Sequence, residues 1–134
     1  AWAKGRVHLP LVSTWNGRKV GHCDAGPDMT FHFGQLIAHL CKTRNVRAGS
    51  IIGSGTVSNK GATKGSGDKA STEWPNGYSC IAEKRAMETI QSGQPSTAFM
   101  QFGDTIRIEM KNPEGLSIFG AIEQEVVPLE KLHP

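Results

Sequence analysis

Residues 6–22, RVHLPLVSTWNGRKVGH, have the pattern of two strands joined by a tight turn, and they decide the class of fold. Apolar side chains occupy every second position over Val7–Leu11, which is typical of a strand with one buried face. Asn16-Gly17 favours a type I′ turn, because both central residues of that turn need a positive φ. The sequence therefore predicts a β-hairpin that returns over residues 18–22. Pro10 lacks an N–H, so we expect the first strand at a sheet edge or with a bulge.

The rest of the chain predicts one helix and several more strands. Apolar residues from Phe33 to Cys41 recur at the helical spacing, which predicts an amphipathic helix near residues 29–44. We expect Asp28 or Thr30 to cap its start and Asn45 to end it. Further strands are predicted at residues 51–52, 78–90, 105–110 and 116–127, and an exposed loop at 58–77. The expected fold class is α+β, mainly β, with residues 1–134 in a single domain.

Composition and charge exclude several classes of protein. The net charge is only +3 and the Lys and Arg residues are scattered, whereas nucleic-acid binding needs a basic stripe. No apolar run is long enough to span a membrane, so neither a nucleic-acid nor a membrane partner is expected. Cys23, Cys41 and Cys80 lack the spacing of a disulfide framework or a zinc site, and the five histidines lack metal-binding spacing. A reducing, cytoplasmic compartment is the expectation.

A glycine-rich stretch, GSGTVSN at residues 53–59, is the first candidate for a binding site. It lacks the GxxxxGK[ST] pattern of a phosphate loop, and Ser58 stands where the dinucleotide pattern GxGxxG needs its last glycine. Glycines such as Gly55 let backbone N–H groups face an anion, and the Thr56 hydroxyl adds a donor, which suits a carboxylate. A tight turn in which Thr56 bonds locally is the alternative.

Glu83 is the second candidate, because it follows the apolar residues 80–82 in the predicted strand. A carboxylate among apolar groups is suited to acid–base catalysis. A solvated salt bridge with the adjacent Lys84 or Arg85 is the alternative. From the residues alone, both interpretations of Glu83 stay open.

The chain resembles the fumarylacetoacetate hydrolase family over residues 6–127, and most of all its bacterial fumarylacetoacetases. The stretches that carry the resemblance occur in the family's order: HLPLVSTWNGRKVG, RAGSIIGSGTVSNKG, GYSCIAEKRAMETI, and FMQFGDTIRIEM followed by SIFGAIEQEV. It implies a mixed β-sandwich or roll, of which residues 1–134 are the C-terminal part. It also places the ligands of a Mg²⁺ or Ca²⁺ ion, and the histidine that activates water, in a half that precedes this segment. The chain by itself is therefore expected to be inactive.

The resemblance also implies roles for the two candidates. Thr56, with Gly55 and Ser54 beside it, matches the threonine that helps to hold a substrate carboxylate. Glu83 matches the glutamate that orients the catalytic histidine. The implied reaction is hydrolysis of a carbon–carbon bond in a β-diketone acid, which converts 4-fumarylacetoacetate to fumarate and acetoacetate in tyrosine and phenylalanine breakdown. The resemblance suggests a homodimer.

Two alternatives stand beside this function. One is a related acylpyruvate hydrolase, decarboxylase or isomerase of the same family, and the residues that contact the substrate would decide between them. The other is a non-catalytic assembly module that uses its β-structure as a dimer surface. In an enzyme, the loop predicted at residues 58–77 fits a lid over the site.

Overall fold

The chain forms eight strands and two helices within the residues described, 1–64 and 71–132, in a computed structural model. A single turn of 3-10 helix, Leu129–Leu132, follows the last strand. In chain order the elements are β1 (Trp2–Ala3), β2 (Arg6–Val7), β3 (Pro10–Trp15), β4 (Arg18–Asp24), α1 (Phe33–Cys41), β5 (Ala62–Lys64), β6 (Ser71–Glu73), α2 (Ile81–Ser92), β7 (Thr105–Lys111) and β8 (Ser117–Glu125).

Four strands form the main sheet, in the order β4–β3–β7–β8 and with every neighbouring pair antiparallel. The predicted hairpin is confirmed, since β3 and β4 pair on either side of Asn16 and Gly17. The φ angles of these two residues are 48° and 74°, as a type I′ turn requires. Trp15 pairs with Arg18 across the turn. The turn therefore sets the register of the residues next to it, as far as the pair Thr14 and Lys19.

Pro10 lies in a central strand, so the prediction of an edge strand is wrong. β3 has β4 on one side and β7 on the other. Pro10 is its first residue and pairs with Asp24, while the ladder to β7 begins one residue later. The missing N–H therefore interrupts no bond of the β7 ladder. The alternative expectation, a bulge, is met by a register shift between Ser13 and Thr14.

The other half of the sheet is the hairpin of β7 and β8, which confirms the two strands predicted after residue 104. Asn112 closes the turn between them, where its Oδ1 accepts a hydrogen bond from the Leu116 N–H at 2.8 Å. Arg107 on β7 forms ion pairs with Glu109 at 3.1 Å and with Glu123 on β8. β8 is the outer strand and all its residues are exposed. Within the described residues, this edge of the sheet is open.

Helix α1 confirms the predicted amphipathic helix, but it is shorter at both ends. His32, rather than Asp28 or Thr30, caps its start. His32 Nδ1 accepts from the Gln35 N–H at 3.2 Å, and Gln35 Oε1 accepts from the His32 N–H at 3.0 Å. This reciprocal pair satisfies two donors that the first turn leaves free. Asp28 lies four residues before this cap, and its carboxylate instead accepts hydrogen bonds from Asn59 Nδ2 and the Lys60 N–H.

The strand predicted at residues 78–90 is wrong, because helix α2 takes up Ile81–Ser92. Most residues of this segment are good helix formers, and their helical preference outweighs the short apolar run at its start. Glu83 therefore lies in the first turn of a helix, where a negative charge is favourable. Gly93 ends the helix with a φ of 81°, the left-handed conformation of a C-terminal cap.

Two more predictions fail between the helices. Ile51 and Ile52 form no strand, and Ile51 is 95% exposed. Two apolar residues are too few to specify a strand, which usually needs at least four. The long loop predicted at residues 58–77 contains a short antiparallel pair, β5 with β6, and its residues 65–70 lie outside the described part of the chain.

The expected α+β, mainly β class is confirmed, and the best-packed part of the molecule lies around β3 and β4. The side chains of Leu9 and Cys23 are 5% and 1% exposed, and Ser13 on β3 is 3% exposed. Many other large apolar residues are exposed, among them Phe119 on β8. No helix in the described ranges is long and apolar enough to cross a membrane.

Candidate functional site

The glycine-rich loop at residues 53–59 borders a cavity of about 380 Å³. Ser54, Gly55 and Thr56, the three predicted binding residues, all line this cavity and are all exposed. Ser54 Oγ donates to Gly55 O at 3.1 Å. A Cβ at Gly55 would meet no atom within 4 Å, so the backbone here has open space beside it. The structure gathers the three residues on one cavity, and their binding role stays a prediction.

The same cavity is also lined by the segment that leads into α1 and by the helix itself. Met29, Phe31 and Leu36 contribute apolar surface, and Asp28 and Thr30 contribute polar atoms. Small-molecule sites commonly combine apolar lining with a few placed polar groups. The cavity therefore suits a ligand that has a polar end near the glycine-rich loop and a less polar body.

Asn59 ties the glycine-rich loop to the rest of the fold. Its Oδ1 accepts from the Asp24 N–H at 2.8 Å and from Asn76 Nδ2 at 2.7 Å. Its Nδ2 donates to Asp24 O at 3.0 Å and to Asp28 Oδ2 at 3.2 Å. The Lys60 N–H donates to the same Asp28 oxygen at 3.0 Å. The loop is thus fastened to the end of β4 and to the segment before α1.

The stretch at residues 74–79 lies directly against the outer side of β4. Gly21 and Gly77 form an isolated antiparallel bridge, and the Tyr78 N–H donates to Val20 O at 3.1 Å. A Cβ at Gly21 would lie 2.1 Å from Tyr78 O, and one at Gly77 would lie 2.1 Å from Val20 O. Only glycine fits at both positions, because any side chain would overlap a backbone carbonyl. This contact fixes where the chain enters α2.

Glu83 borders a second cavity, of about 260 Å³. The side chain is half-buried, and Trp74, Tyr78 and Met87 supply much of the surrounding surface. Ser58 lines both this cavity and the one beside Thr56. The structure therefore places the two predicted functional residues on neighbouring cavities rather than on the same one.

The basic neighbours of Glu83, which offered a salt bridge, are engaged elsewhere. Lys84 Nζ lies 3.5 Å from Glu88 Oε1. Arg85 donates from its guanidinium to Thr97 O and lies over the Phe99 ring, 4.5 Å from its centre. Successive residues of a helix point in different directions, so adjacency in sequence did not imply pairing.

Glu88 is a buried carboxylate that the sequence did not reveal. It accepts from the Ser96 and Thr97 N–H groups, both at 2.8 Å, and from the Thr97 hydroxyl at 2.6 Å. These bonds, with the Thr97 hydroxyl as the largest cause, lower the pKa of Glu88 to about 2. Burial first, and the charge of Glu88 second, raise the pKa of Tyr78. The i, i+4 spacing of Lys84 and Glu88 was the available signal, and it is visible only if the segment is taken as a helix.

The described residues do not fit a divalent metal ion, since no three of their His, Cys, Asp or Glu side chains form a group able to hold one. Asp28 Oδ2, on the first cavity, is taken up by the bonds from Asn59 and Lys60. His32 caps α1, and His8 Nε2 lies 3.3 Å from Ala3 O. These side chains serve the local fold.

Comparison with known proteins identifies the family. A family model described as fumarylacetoacetate (FAA) hydrolase C-terminal matches residues 3–127. A search of curated proteins gives no match. The family includes hydrolases and related enzymes, so its match supports an enzyme function of that general kind. Because the matched region covers nearly all of the sequence, this chain belongs to the fumarylacetoacetate hydrolase family.

Proposed function

We propose that this chain is part of a hydrolase that cleaves a carbon–carbon bond in a β-diketone acid, 4-fumarylacetoacetate, to give fumarate and acetoacetate. The cavity beside Ser54, Gly55 and Thr56 carries the proposal, in a chain that belongs to this family. Family membership supports a hydrolase, decarboxylase or isomerase, and the choice of substrate is the part that we add.

Thr56 and the backbone around Gly55 hold one carboxylate of the substrate in this proposal. The threonine hydroxyl can donate one hydrogen bond, and N–H groups beside glycine can approach an anion closely. Among the described residues that line the cavity there is no Lys or Arg, so neutral donors would make the contacts. Such contacts fix the orientation of the substrate rather than break its bonds.

Glu83 positions the histidine that activates water in this proposal. A carboxylate that accepts the N–H of an imidazole fixes its tautomer and stabilises the imidazolium that forms. The resemblance assigns that histidine to a half of the enzyme that precedes this segment. Glu83 is half-buried beside the rings of Trp74 and Tyr78, and its cavity adjoins that of Thr56 through Ser58. This placement supports a shared site for the two residues.

The proposed reaction consumes one water molecule. The histidine accepts a proton from the water, and the water oxygen forms a bond to a carbonyl carbon of the diketone. The adjacent carbon–carbon bond then breaks, and its electron pair leaves on the acetoacetate fragment as an enolate. A proton returns to that fragment, and the new carboxylate completes fumarate. Glu83 stabilises the positive charge of the imidazolium throughout.

Mg²⁺ or Ca²⁺ is the metal that we propose for the full-length enzyme, because enzymes of this family generally depend on a metal ion. When bound, such an ion polarises carbonyl oxygens. The described residues contain no group that could hold it, so the proposal assigns its ligands to other residues.

Turnover assays of the full-length protein test the proposal. With Mg²⁺ or Ca²⁺ present, we expect fumarylacetoacetate to disappear with equal amounts of fumarate and acetoacetate formed. Glu83→Gln should lower kcat with little change in KM, because Glu83 acts through the histidine. Preferential turnover of an acylpyruvate would assign the related activity instead. Turnover of neither acid would favour the non-catalytic module.

A further inference from the structure

We propose that Asn59 is a positioning residue, which holds the Ser54–Thr56 loop in the orientation that binds the substrate carboxylate. This inference rests on the proposed function. Asn59 lies three residues after Thr56, and it lines the second cavity rather than the one that Thr56 lines. Its effect on substrate would therefore pass through the backbone of the loop.

The amide of Asn59 uses its whole hydrogen-bonding capacity. Oδ1 accepts two bonds, from the Asp24 N–H at 2.8 Å and Asn76 Nδ2 at 2.7 Å. Nδ2 donates two, to Asp24 O at 3.0 Å and Asp28 Oδ2 at 3.2 Å. An amide offers two acceptor sites and two donors, and all four are satisfied here. Apart from glutamine, whose longer chain moves the amide, no side chain could reproduce this set.

The loop needs such a tether, because its own backbone supplies little order. Residues 51–61 belong to no helix or strand. A Cβ at Gly53 or Gly55 would meet nothing within 4 Å, so neighbouring groups do not confine the backbone there. Glycine also has the widest conformational freedom of any residue. Asn59 thus anchors one end of a segment that would otherwise sample many orientations.

The same amide also connects the loop to the start of α2. Asn76, which donates to Asn59 Oδ1, immediately precedes Gly77, whose close contact with β4 fixes the entry to the helix. Glu83 lies in the first turn of that helix. One side chain therefore links both candidate site residues, Thr56 and Glu83, to the end of β4.

Asn59→Asp tests this role, because it keeps the acceptor atom and removes both donors. The new carboxylate would face the Asp28 carboxylate and the backbone carbonyl oxygen of Asp24, and it would share its cavity with Glu83. Like charges at this distance repel and favour the protonated carboxyl, which can again donate. The defect should therefore be large at pH 8 and smaller at pH 5.5.

Asn16→Asp is the matched control at the other end of β3. Asn16 also spans an aspartate and a backbone group, since Nδ2 donates to Asp104 Oδ1 at 2.7 Å and Oδ1 accepts from the Thr105 N–H at 2.8 Å. The same substitution there should lower stability without changing ligand affinity. A purely structural role for Asn59 would give the same result as this control.

Fumarate binding to the full-length protein is the affinity measurement, made by calorimetry at both pH values on variants confirmed to be folded. We expect Asn59→Asp to bind fumarate about tenfold more weakly than wild type at pH 8, the loss that one to two hydrogen bonds would cause. The deficit should shrink at pH 5.5, and Asn16→Asp should match wild type at both. Unchanged affinity of Asn59→Asp at pH 8, or an equal loss in the control, would overturn the positioning role.

Hydrogen exchange of residues 51–59 separates this inference from the proposed function, because it needs no ligand. We expect Asn59→Asp to exchange faster than wild type in this loop at pH 8, while Asn16→Asp does not. If wild type binds no fumarate, the proposed function fails, and exchange still reports on the tether. If exchange in the loop is unchanged by Asn59→Asp, the tether itself is refuted.

Discussion

The two edge strands of the main sheet differ in whether another segment of the chain covers them. Along β4, the stretch at residues 74–79 lies against the strand, and Gly21 and Gly77 allow their backbones to touch. Along β8, all nine residues are exposed, including Phe119 at 68%. Within the described residues, no further strand pairs with β8. One edge is therefore closed by the chain itself, and the other is open.

The closed edge is also where the candidate site lies. Asn59 connects the glycine-rich loop to the end of β4, and the contact at Gly77 leads into the helix that carries Glu83. Residues that must hold a ligand in a fixed geometry need support from rigid neighbours. This sheet therefore offers such support at β4 and, within the described residues, not at β8.

Gly21→Ala should have the largest effect on stability. The new Cβ would lie 2.1 Å from Tyr78 O, a backbone atom that cannot move without displacing the segment before α2. We expect a loss of about 3 kcal/mol or more in the free energy of unfolding, or failure to fold. Denaturant unfolding of the full-length protein measures it.

Gly120→Ala is the control on the open edge. Gly120 has a φ of 79° and no atom within 4 Å of an added Cβ, so only backbone strain opposes alanine. The expected loss is about 1 kcal/mol. Equal losses at Gly21 and Gly120 would contradict the difference between the edges.

Glu88→Gln should have an intermediate effect that depends on pH. The carboxylate holds Ser96 and Thr97 against α2, and its pKa is lowered from 4.5 to about 2. A lowered folded-state pKa stabilises the protein above the unfolded value, and this contribution is lost as the pH falls through the folded value. The variant should therefore be less stable than wild type at pH 7, and the difference should shrink between pH 4.5 and pH 2.

Thermal unfolding across this pH range measures the effect, with Glu125→Gln on the exposed strand β8 as the control. The control should show little difference from wild type at any pH, because Glu125 is exposed. A destabilisation of Glu88→Gln that stays constant down to pH 2 would contradict the assigned bonds.

Phe119→Ser should have the smallest effect. Phe119 is 68% exposed, so removal of its ring loses little buried apolar surface in the chain as described. We expect a change within about 0.5 kcal/mol in the free energy of unfolding. A loss of several kcal/mol in the free energy of unfolding would show that Phe119 is covered in the native protein. The description of the β8 edge as open would then be wrong.

Local sequence signals correctly predicted those elements whose conformation depends mainly on their own residues, the hairpin turn and helix α1. Asn16-Gly17 specifies its turn through its own backbone preferences, and the apolar spacing within α1 marks a helix without reference to any partner. The GSGTVSN stretch was identified as a candidate site from its composition, and the structure places its central residues on a cavity.

Local sequence signals could not predict contacts between residues that are far apart in the chain. Asn59 meets Asp24 across 35 positions, and no periodicity indicates such a bond. His32 caps α1, whereas Asp28, a better capping residue by type, bonds to Asn59, which lies 31 positions later in the chain. Residues 78–90 were predicted as a strand rather than as part of helix α2, because the short apolar run at the start of this segment suits a strand as well as a helix. That error also concealed the position of Glu88.

Fumarate binding to Thr56→Val in the full-length protein tests the central claim most directly. Thr30→Val is the matched control, since Thr30 lines the same cavity and is not assigned to the carboxylate. Loss of the Thr56 hydroxyl donor should weaken fumarate about tenfold or more, a typical value for a hydrogen bond to a charged group. The control should bind fumarate as wild type does. Wild-type affinity in Thr56→Val would contradict the assignment of this loop to the substrate carboxylate.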